Sequence, residues 1–205
     1  MECQFRSSVK SASSRLKGVV LDAGCGDRRF RPLLLEYCDT YLGADRTEGE
    51  GVVSCDLRQL PFPDRSFETV VCFQVLCDFE EPNDLLVELF RVMNTSGCLL
   101  LSVNQQWELH GEPRDFYRFT PFGLRYQLEK AGFLVISIDP MGGLWSYIAN
   151  RIGVVIYERC RRRWQRPFAA LAIAALHIFV GTLMDRRHFR PRDTQTLFAI
   201  ASRDQ

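Results

Sequence analysis

Gly18-Val19-Val20-Leu21-Asp22-Ala23-Gly24-Cys25-Gly26-Asp27 is an apolar run that stops in a Gly-x-Gly turn. Four residues without a charge suit a strand buried on both faces of a parallel sheet. Two glycines one residue apart let the backbone turn tightly and pass close to a ligand. The first expectation from this segment is a cofactor site, set against the ordinary use of Gly-x-Gly in plain turns.

Downstream, the pattern recurs. Thr40-Tyr41-Leu42-Gly43-Ala44-Asp45 and Val52-Val53-Ser54-Cys55-Asp56 are short strands that end, like the first, in a carboxylate. Any single Asp could be a helix cap or turn residue. Three of them, Asp22, Asp45 and Asp56, would converge on the edge of an open parallel sheet where such folds bind ligands. Asp45 lies 19 residues after Gly26, close to the spacing at which an acidic residue meets a ribose. Between the first two strands, residues 27–37 read as a helix whose N-terminus faces the glycine turn, and Pro32 puts its start at 29–31.

The remaining chain alternates in the same way. Glu68–Phe73 reads as a fourth strand, Pro82–Met93 as a helix closed by Ser96-Gly97, and Cys98–Val103 as a fifth strand. Thr120 caps a helix over 121–130, with Gly132 as its terminator. Phe133–Ile138 and Thr196–Ala201 supply strands six and seven. The expected fold is α/β: a Rossmann-like, doubly wound, mostly parallel seven-stranded sheet, with a helical-pair insertion before the last strand. Residues 1–17 are expected to be a flexible lead-in or a short helix, and 18–205 the domain.

The chain has 205 residues, 46% hydrophobic and 25% charged, with a formal net charge of +1. That balance hides an asymmetry, because residues 151–192 hold ten arginines against Glu158 and Asp185. The eight cysteines are scattered, without Cys-x-x-Cys, and read as reduced, mostly buried groups of a cytoplasmic protein. His110, His177 and His188 have no metal-ligand spacing, so no metal site is expected. No nucleic-acid partner is expected either.

Taken together, Val19–Gly26, Leu42–Asp45 and above all Cys55-Asp56-Leu57-Arg58-Gln59-Leu60-Pro61-Phe62-Pro63-Asp64-Arg65-Ser66-Phe67-Glu68-Thr69-Val70-Val71 resemble the class I S-adenosylmethionine-dependent methyltransferases, of the methyltransferase type 11 kind. The resemblance covers residues 18–138 and resumes near the C-terminus. It implies S-adenosylmethionine as cofactor, with Gly24, Cys25 and Gly26 passing under its methionine part and Asp22 holding the amino end. Asp45, followed by Arg46, would take the ribose hydroxyls. Asp56 would accept from the adenine amino group beside the Leu57 N–H, and Phe73 and Gln74 would close over the site. A third glycine is missing at Arg28-Arg29, which argues against a pyrophosphate-binding NAD enzyme.

The acceptor side falls on Asn104–Phe119, a loop dense in polar and aromatic groups that reads as a lid. His110 is the candidate general base, or a lid residue bonded to Glu112 or Asp115. Tyr117 and Arg118 bind the acceptor or anchor the lid. Methyl transfer is an in-line displacement, so positioning can supply most of the catalysis. Residues 110–124 resemble bacterial methyltransferases of cell-surface glycan or lipid pathways, which implies a small or amphipathic, lipid- or glycan-linked acceptor. A non-catalytic S-adenosylmethionine-binding or membrane-interaction protein on the same fold is the competing expectation.

The insertion, 144–190, reads as helices over 144–159 and 168–184 joined by an arginine-rich segment. Residues 167–184 carry no charge, a length at the lower edge of a membrane span. Two readings stand: a hairpin in the interface at the inner face of the membrane, or a pair packed on its own domain or in a homodimer.

Overall fold

The computed structural model describes residues 2–160 and 166–203. The arginine-rich joint at 161–165 therefore lies outside the described residues. The chain divides into two compact units, one made of 1–139 with 197–205 and the other of 140–196.

The first unit is built on strand β1, Val19–Ala23, whose Val20, Leu21 and Ala23 are fully buried. β1 pairs in parallel with β2, Thr40–Asp45, and with β4, Phe67–Phe73; β2 pairs in parallel with β3, Val52–Ser54. β5, Met93–Asn104, extends the sheet in parallel beyond β4. With β6, Leu134–Met141, and β7, Thr196–Ser202, the strand order is 3-2-1-4-5-7-6. Strand order reverses between β1 and β4, and the chain ends of β1, β2 and β3 open onto that reversal. This is the switch point at which open α/β sheets bind ligands.

The N-terminal segment is no loose lead-in. Helix α1, Glu2–Ser11, buries Phe5 and Val9, and Ala12 and Leu16 continue the buried row. The Phe5 ring stands 5.0 Å from Phe30, 5.4 Å from Phe73 and 6.3 Å from Phe198, centroid to centroid. Tilted and edge-on aromatic pairs of this kind add to their burial.

After the glycine turn the helix is shorter than the apolar pattern suggests. α2 is Arg31–Leu34: it starts within the expected 29–31, after a turn in which Arg28 adopts φ +58°, and stops short of the expected residue 37.

Helix α3, Pro82–Val92, buries Leu85, Leu86, Leu89 and Val92 on one stripe. It stops one residue before the expected Met93, and Ser96-Gly97 belong to β5 instead. The reason lies in the sheet. Met93 is extended and pairs with Phe67, and the β4–β5 register shifts between Phe67 and Thr69 to absorb the extra residues. Arg203 then donates from Nη1 to the carbonyls of Phe90 and Met93 at 2.7 and 2.8 Å, tying off the helix end. Helix α4, Pro121–Lys130, starts as expected, with the Thr120 hydroxyl accepting from the Gly123 N–H at 3.0 Å.

The second unit carries α5, Leu144–Arg159, and a continuous helical run, 166–188. That run consists of α6, Arg166–Leu176, a π-helical stretch His177–Thr182, and α7, Leu183–His188. It is longer than the expected 168–184. Asp185 is buried and accepts from the N–H groups of Gly143, Trp145 and Ser146 at 3.0–3.1 Å. A carboxylate from one helix thereby caps the first turn of the other.

Candidate functional site

At the carboxyl ends of β1 to β3 lies a cavity of about 400 Å³, lined by Gly24, Asp45, Arg46, Asp56, Leu57 and Arg58 on one side. Val75, Asp78, Phe79, Glu80, Arg114 and Phe116 line the other. Five of the expected cofactor residues are thus brought together at one opening.

Gly24 is the floor. Its φ is +82°, and a Cβ there would stand 2.3 Å from Val75 Cγ2, so neither the conformation nor the space admits a side chain. The turn is tied to β2, because the Gly24 N–H donates to the Ala44 carbonyl at 2.8 Å. Gly26, φ +50°, donates its N–H to Asp45 Oδ2 at 2.9 Å, and Thr47 N–H donates to Asp45 Oδ1 at 2.9 Å. The carboxylate at the end of β2 is therefore held in place, and each oxygen retains accepting capacity for a further donor.

Asp56 is fixed differently. Its carboxylate accepts from the Arg58 backbone N–H at 2.9 Å and from the Arg58 guanidinium at 2.6–3.2 Å. The guanidinium beside it, followed by that backbone bond, lowers its pKa to about 2, so it is an anionic acceptor throughout the physiological range. Among the described residues the Leu57 N–H has no hydrogen-bond partner, and Leu57 lines the same cavity.

Asp22 and Cys25 sit beneath the cavity rather than in its wall. Asp22 is 2% exposed and accepts from the Tyr41 hydroxyl at 2.7 Å. Burial raises its carboxyl to about 6 against the lowering effect of the Tyr41 bond, with the negative Asp45 adding to the rise. Cys25 is likewise buried, its thiol pushed up to about 11 by desolvation.

Phe73 and Gln74 depart from expectation. Phe73 is buried in the aromatic cluster, 5.0 Å from Phe30 and 5.9 Å from Phe198, so its ring packs the core and does not close the cavity. Gln74 adopts φ +62°, a left-handed conformation that L side chains rarely take. It is pinned by its N–H to the Ser102 carbonyl and its Nε2 to Ser102 Oγ, and it turns the chain so that the next residues, from Val75 onward, form the cavity wall.

The three residues expected on the acceptor side hold the loop together and do not line the cavity. Arg118 donates to both oxygens of Asp115, to the carbonyls of Trp107 and Glu108 at 3.1 and 2.8 Å, and to the Tyr117 carbonyl. The Asp115 carboxyl is held well below the usual range, first by Arg118. The Tyr117 hydroxyl donates to the Glu80 carbonyl at 2.7 Å, anchoring the loop to the segment after β4. His110 has Nδ1 3.0 Å from the Glu108 carbonyl, and its backbone N–H donates to Asp115 Oδ2 at 3.1 Å. Both bonds stay within residues 108–115.

Asp78 was missed in the sequence. It is half-buried in the cavity wall, on the 3-10 turn Leu76–Asp78, and desolvation raises its carboxyl pKa against the opposing pull of His110. Its signal was faint: an acid five residues beyond a strand end, at the head of the acidic stretch Asp78-Phe79-Glu80-Glu81. Arg114, Phe79 and Phe116 complete that side of the wall.

Residues 21–101 match the family described as Methyltransferase domain. Among curated proteins, the chain is 27% identical over 165 residues to a protein of Mycolicibacterium smegmatis named as a probable S-adenosylmethionine-dependent methyltransferase, covering 70% of this chain and 63% of that one. The chain spans less than two thirds of the length of the curated relatives it matches. Among solved structures, Haemonchus contortus phosphoethanolamine N-methyltransferase 2 in complex with S-adenosyl-L-methionine is similar with a TM-score of 0.62 at 14% identity, covering 98% of this chain and 53% of that one. The [4+2]-cyclase SpnF is similar with a TM-score of 0.63 at 18% identity, covering 96% and 79%. The seven-stranded Rossmann-like methyltransferase fold is therefore the fold of this chain.

Proposed function

We propose that this chain transfers the methyl group of S-adenosylmethionine to a small or amphipathic, lipid- or glycan-linked acceptor. One observation carries the reading. The cavity joins a Gly24 floor that tolerates no side chain to Asp45, Asp56 and Leu57 at successive strand ends, within the segment that matches the methyltransferase domain.

The residues fit the cofactor. A volume of about 400 Å³ falls in the range of small-molecule sites. Gly24 and Gly26 leave bare backbone for the methionine part, over Asp22 and Cys25. Asp45 accepts from ribose hydroxyls with the lone pairs left by Gly26 and Thr47, and Arg46 flanks it. Asp56 and the Leu57 N–H offer one acceptor and one donor to the adenine edge. When bound, the cofactor supplies a methyl group on a sulfonium, open to in-line displacement.

On the other wall, Asp78 is the group that takes a proton from the acceptor, the role expected of His110. Phe79 and Phe116 beside Asp78, Glu80 and Arg114 suit an acceptor with both apolar and charged parts. His110, Tyr117 and Arg118 contribute by holding this wall in place. The seven free cysteines among the described residues, five of them buried, support a reducing, cytoplasmic setting.

The test is turnover. Purified protein with S-adenosylmethionine and lipid or glycan extracts should produce S-adenosylhomocysteine, and Asp45→Ala should abolish it. Because the fold also serves a [4+2]-cyclase, cofactor binding alone does not decide. Tight binding without S-adenosylhomocysteine across broad acceptor panels would favour the non-catalytic binder.

A further inference from the structure

We infer that the unit 140–196 docks on an anionic lipid surface by laying one face of helix 166–188 into a single leaflet. The inference is independent of the methyl-transfer reading.

The helix has two faces of different character. Inward, Gly153 of α5 lies so close to Ile173 that a Cβ would meet Ile173 Cγ2 at 2.8 Å, and Gly181 lies against the Ser146 backbone. Ala169, Gly181 and Asp185 are buried on this side. Outward, Phe168, Leu171, Ile178 and Phe179 recur at helical spacing and are 69%, 72%, 63% and 73% exposed. Ile152, Val155 and Tyr157 of α5 are also exposed. A water-facing helix turns polar groups outward; here the outward face is as apolar as the inward one, which marks an interaction site.

Charge selects the occupant. Residues 151–192 hold ten arginines and two acids. One of those acids, Asp185, is buried and committed to three backbone N–H groups. Exposed Arg159 and Arg166 stand at one end of the apolar face, and Arg186, Arg187 and Arg190 at the other. A second copy of this chain would set arginine against arginine around its apolar contact. An anionic leaflet takes up both features: acyl chains receive the aromatic and aliphatic face, and headgroups meet the guanidinium groups.

Chain connectivity argues that the helix lies in the surface. Its 23 residues extend about 34 Å, enough to cross a bilayer. Yet the unit is entered from β6 and left into β7, which are neighbours in one sheet, so a crossing would need α5 as a return span. α5 has 16 residues, with Asn150 and Arg151 at its middle, and is too short and too polar for that.

The experiment is flotation of the full chain with vesicles of phosphatidylcholine alone and of phosphatidylcholine mixed with phosphatidylglycerol. The expected result is flotation with the mixed vesicles only, weakened by added salt. Phe168→Asp with Phe179→Asp should reduce it at least tenfold, and Arg186→Gln with Arg187→Gln should flatten the salt dependence. Both double variants should retain wild-type circular dichroism and cofactor affinity, since none of these residues lines the cavity; loss of those signals calls for the milder Phe179→Ser, with the same expected direction. Three results would overturn the proposal: no flotation at low salt, a dimer in light scattering that Phe179→Ser dissociates, or retention in the lipid fraction after alkaline carbonate, which marks a span.

Discussion

Gly24 and Asp45 together define what the cofactor side can tolerate. Gly24→Ala adds a methyl group 2.3 Å from Val75 Cγ2 at φ +82°; the expected outcome is loss of measurable cofactor binding by calorimetry, with only partial recovery in Gly24→Ala with Val75→Ala because the backbone strain remains. Asp45→Asn keeps shape but removes a charged acceptor, so affinity should fall about 10- to 100-fold. Asp22 yields a pH test. Its folded pKa of about 6 lies above the ordinary 3.8 of an aspartate, so between these values the folded state binds more protons than the unfolded one. Stability should therefore decline as pH rises from about 4 to 6, by up to about 3 kcal/mol, and Asp22→Asn should flatten that slope in urea titrations across the window. Asp45 and Asp56 were legible in sequence because a carboxylate at a strand end has its position fixed by the strand. Phe73 was not, because the direction of its ring depends on Phe5 and Phe198, which are distant in sequence; for Tyr117 and Arg118 acceptor binding and anchoring of the loop were both open, and their bonds to Glu80 and Asp115 are anchoring bonds.

Segments fared unevenly for a related reason. The Thr120 cap is a local interaction and was read correctly, as was the start of α2 at Arg31, whereas the end of α3 is set by the pairing of Met93 with Phe67 and by Arg203 reaching back to Phe90 and Met93. α1 is the clearest case, since a serine-rich segment carries two buried apolar residues whose partners are scattered over the chain. Phe5→Ala should cost about 3–5 kcal/mol in denaturant unfolding, because it empties the centre of a four-ring cluster. In the second unit, Asp185→Ala leaves three N–H groups at the head of α5 without their acceptor. Accelerated hydrogen exchange confined to residues 143–147 is the expected signature.

For the molecule as a whole, the mostly parallel seven-stranded pattern followed from alternating strand and helix signals, and the insertion expected over 144–190 lies within a compact unit that runs from 140 to 196. The division makes a prediction of its own: replacing residues 143–193 with a short Gly-Ser linker between β6 and β7 should leave the affinity for S-adenosylmethionine within about threefold of wild type in calorimetry, since every cavity residue belongs to the first unit. The strand order carries a further consequence, for the order of events in synthesis. β7 sits between β5 and β6, yet it follows β6 by more than fifty residues. A nascent chain emerging N-terminus first completes the cofactor-side strands early but keeps β5 and β6 waiting as unpaired edges. The whole insertion is translated before Thr196 can close the sheet, so the arginine-rich helices have reached their own surroundings while the fold that carries them is still open.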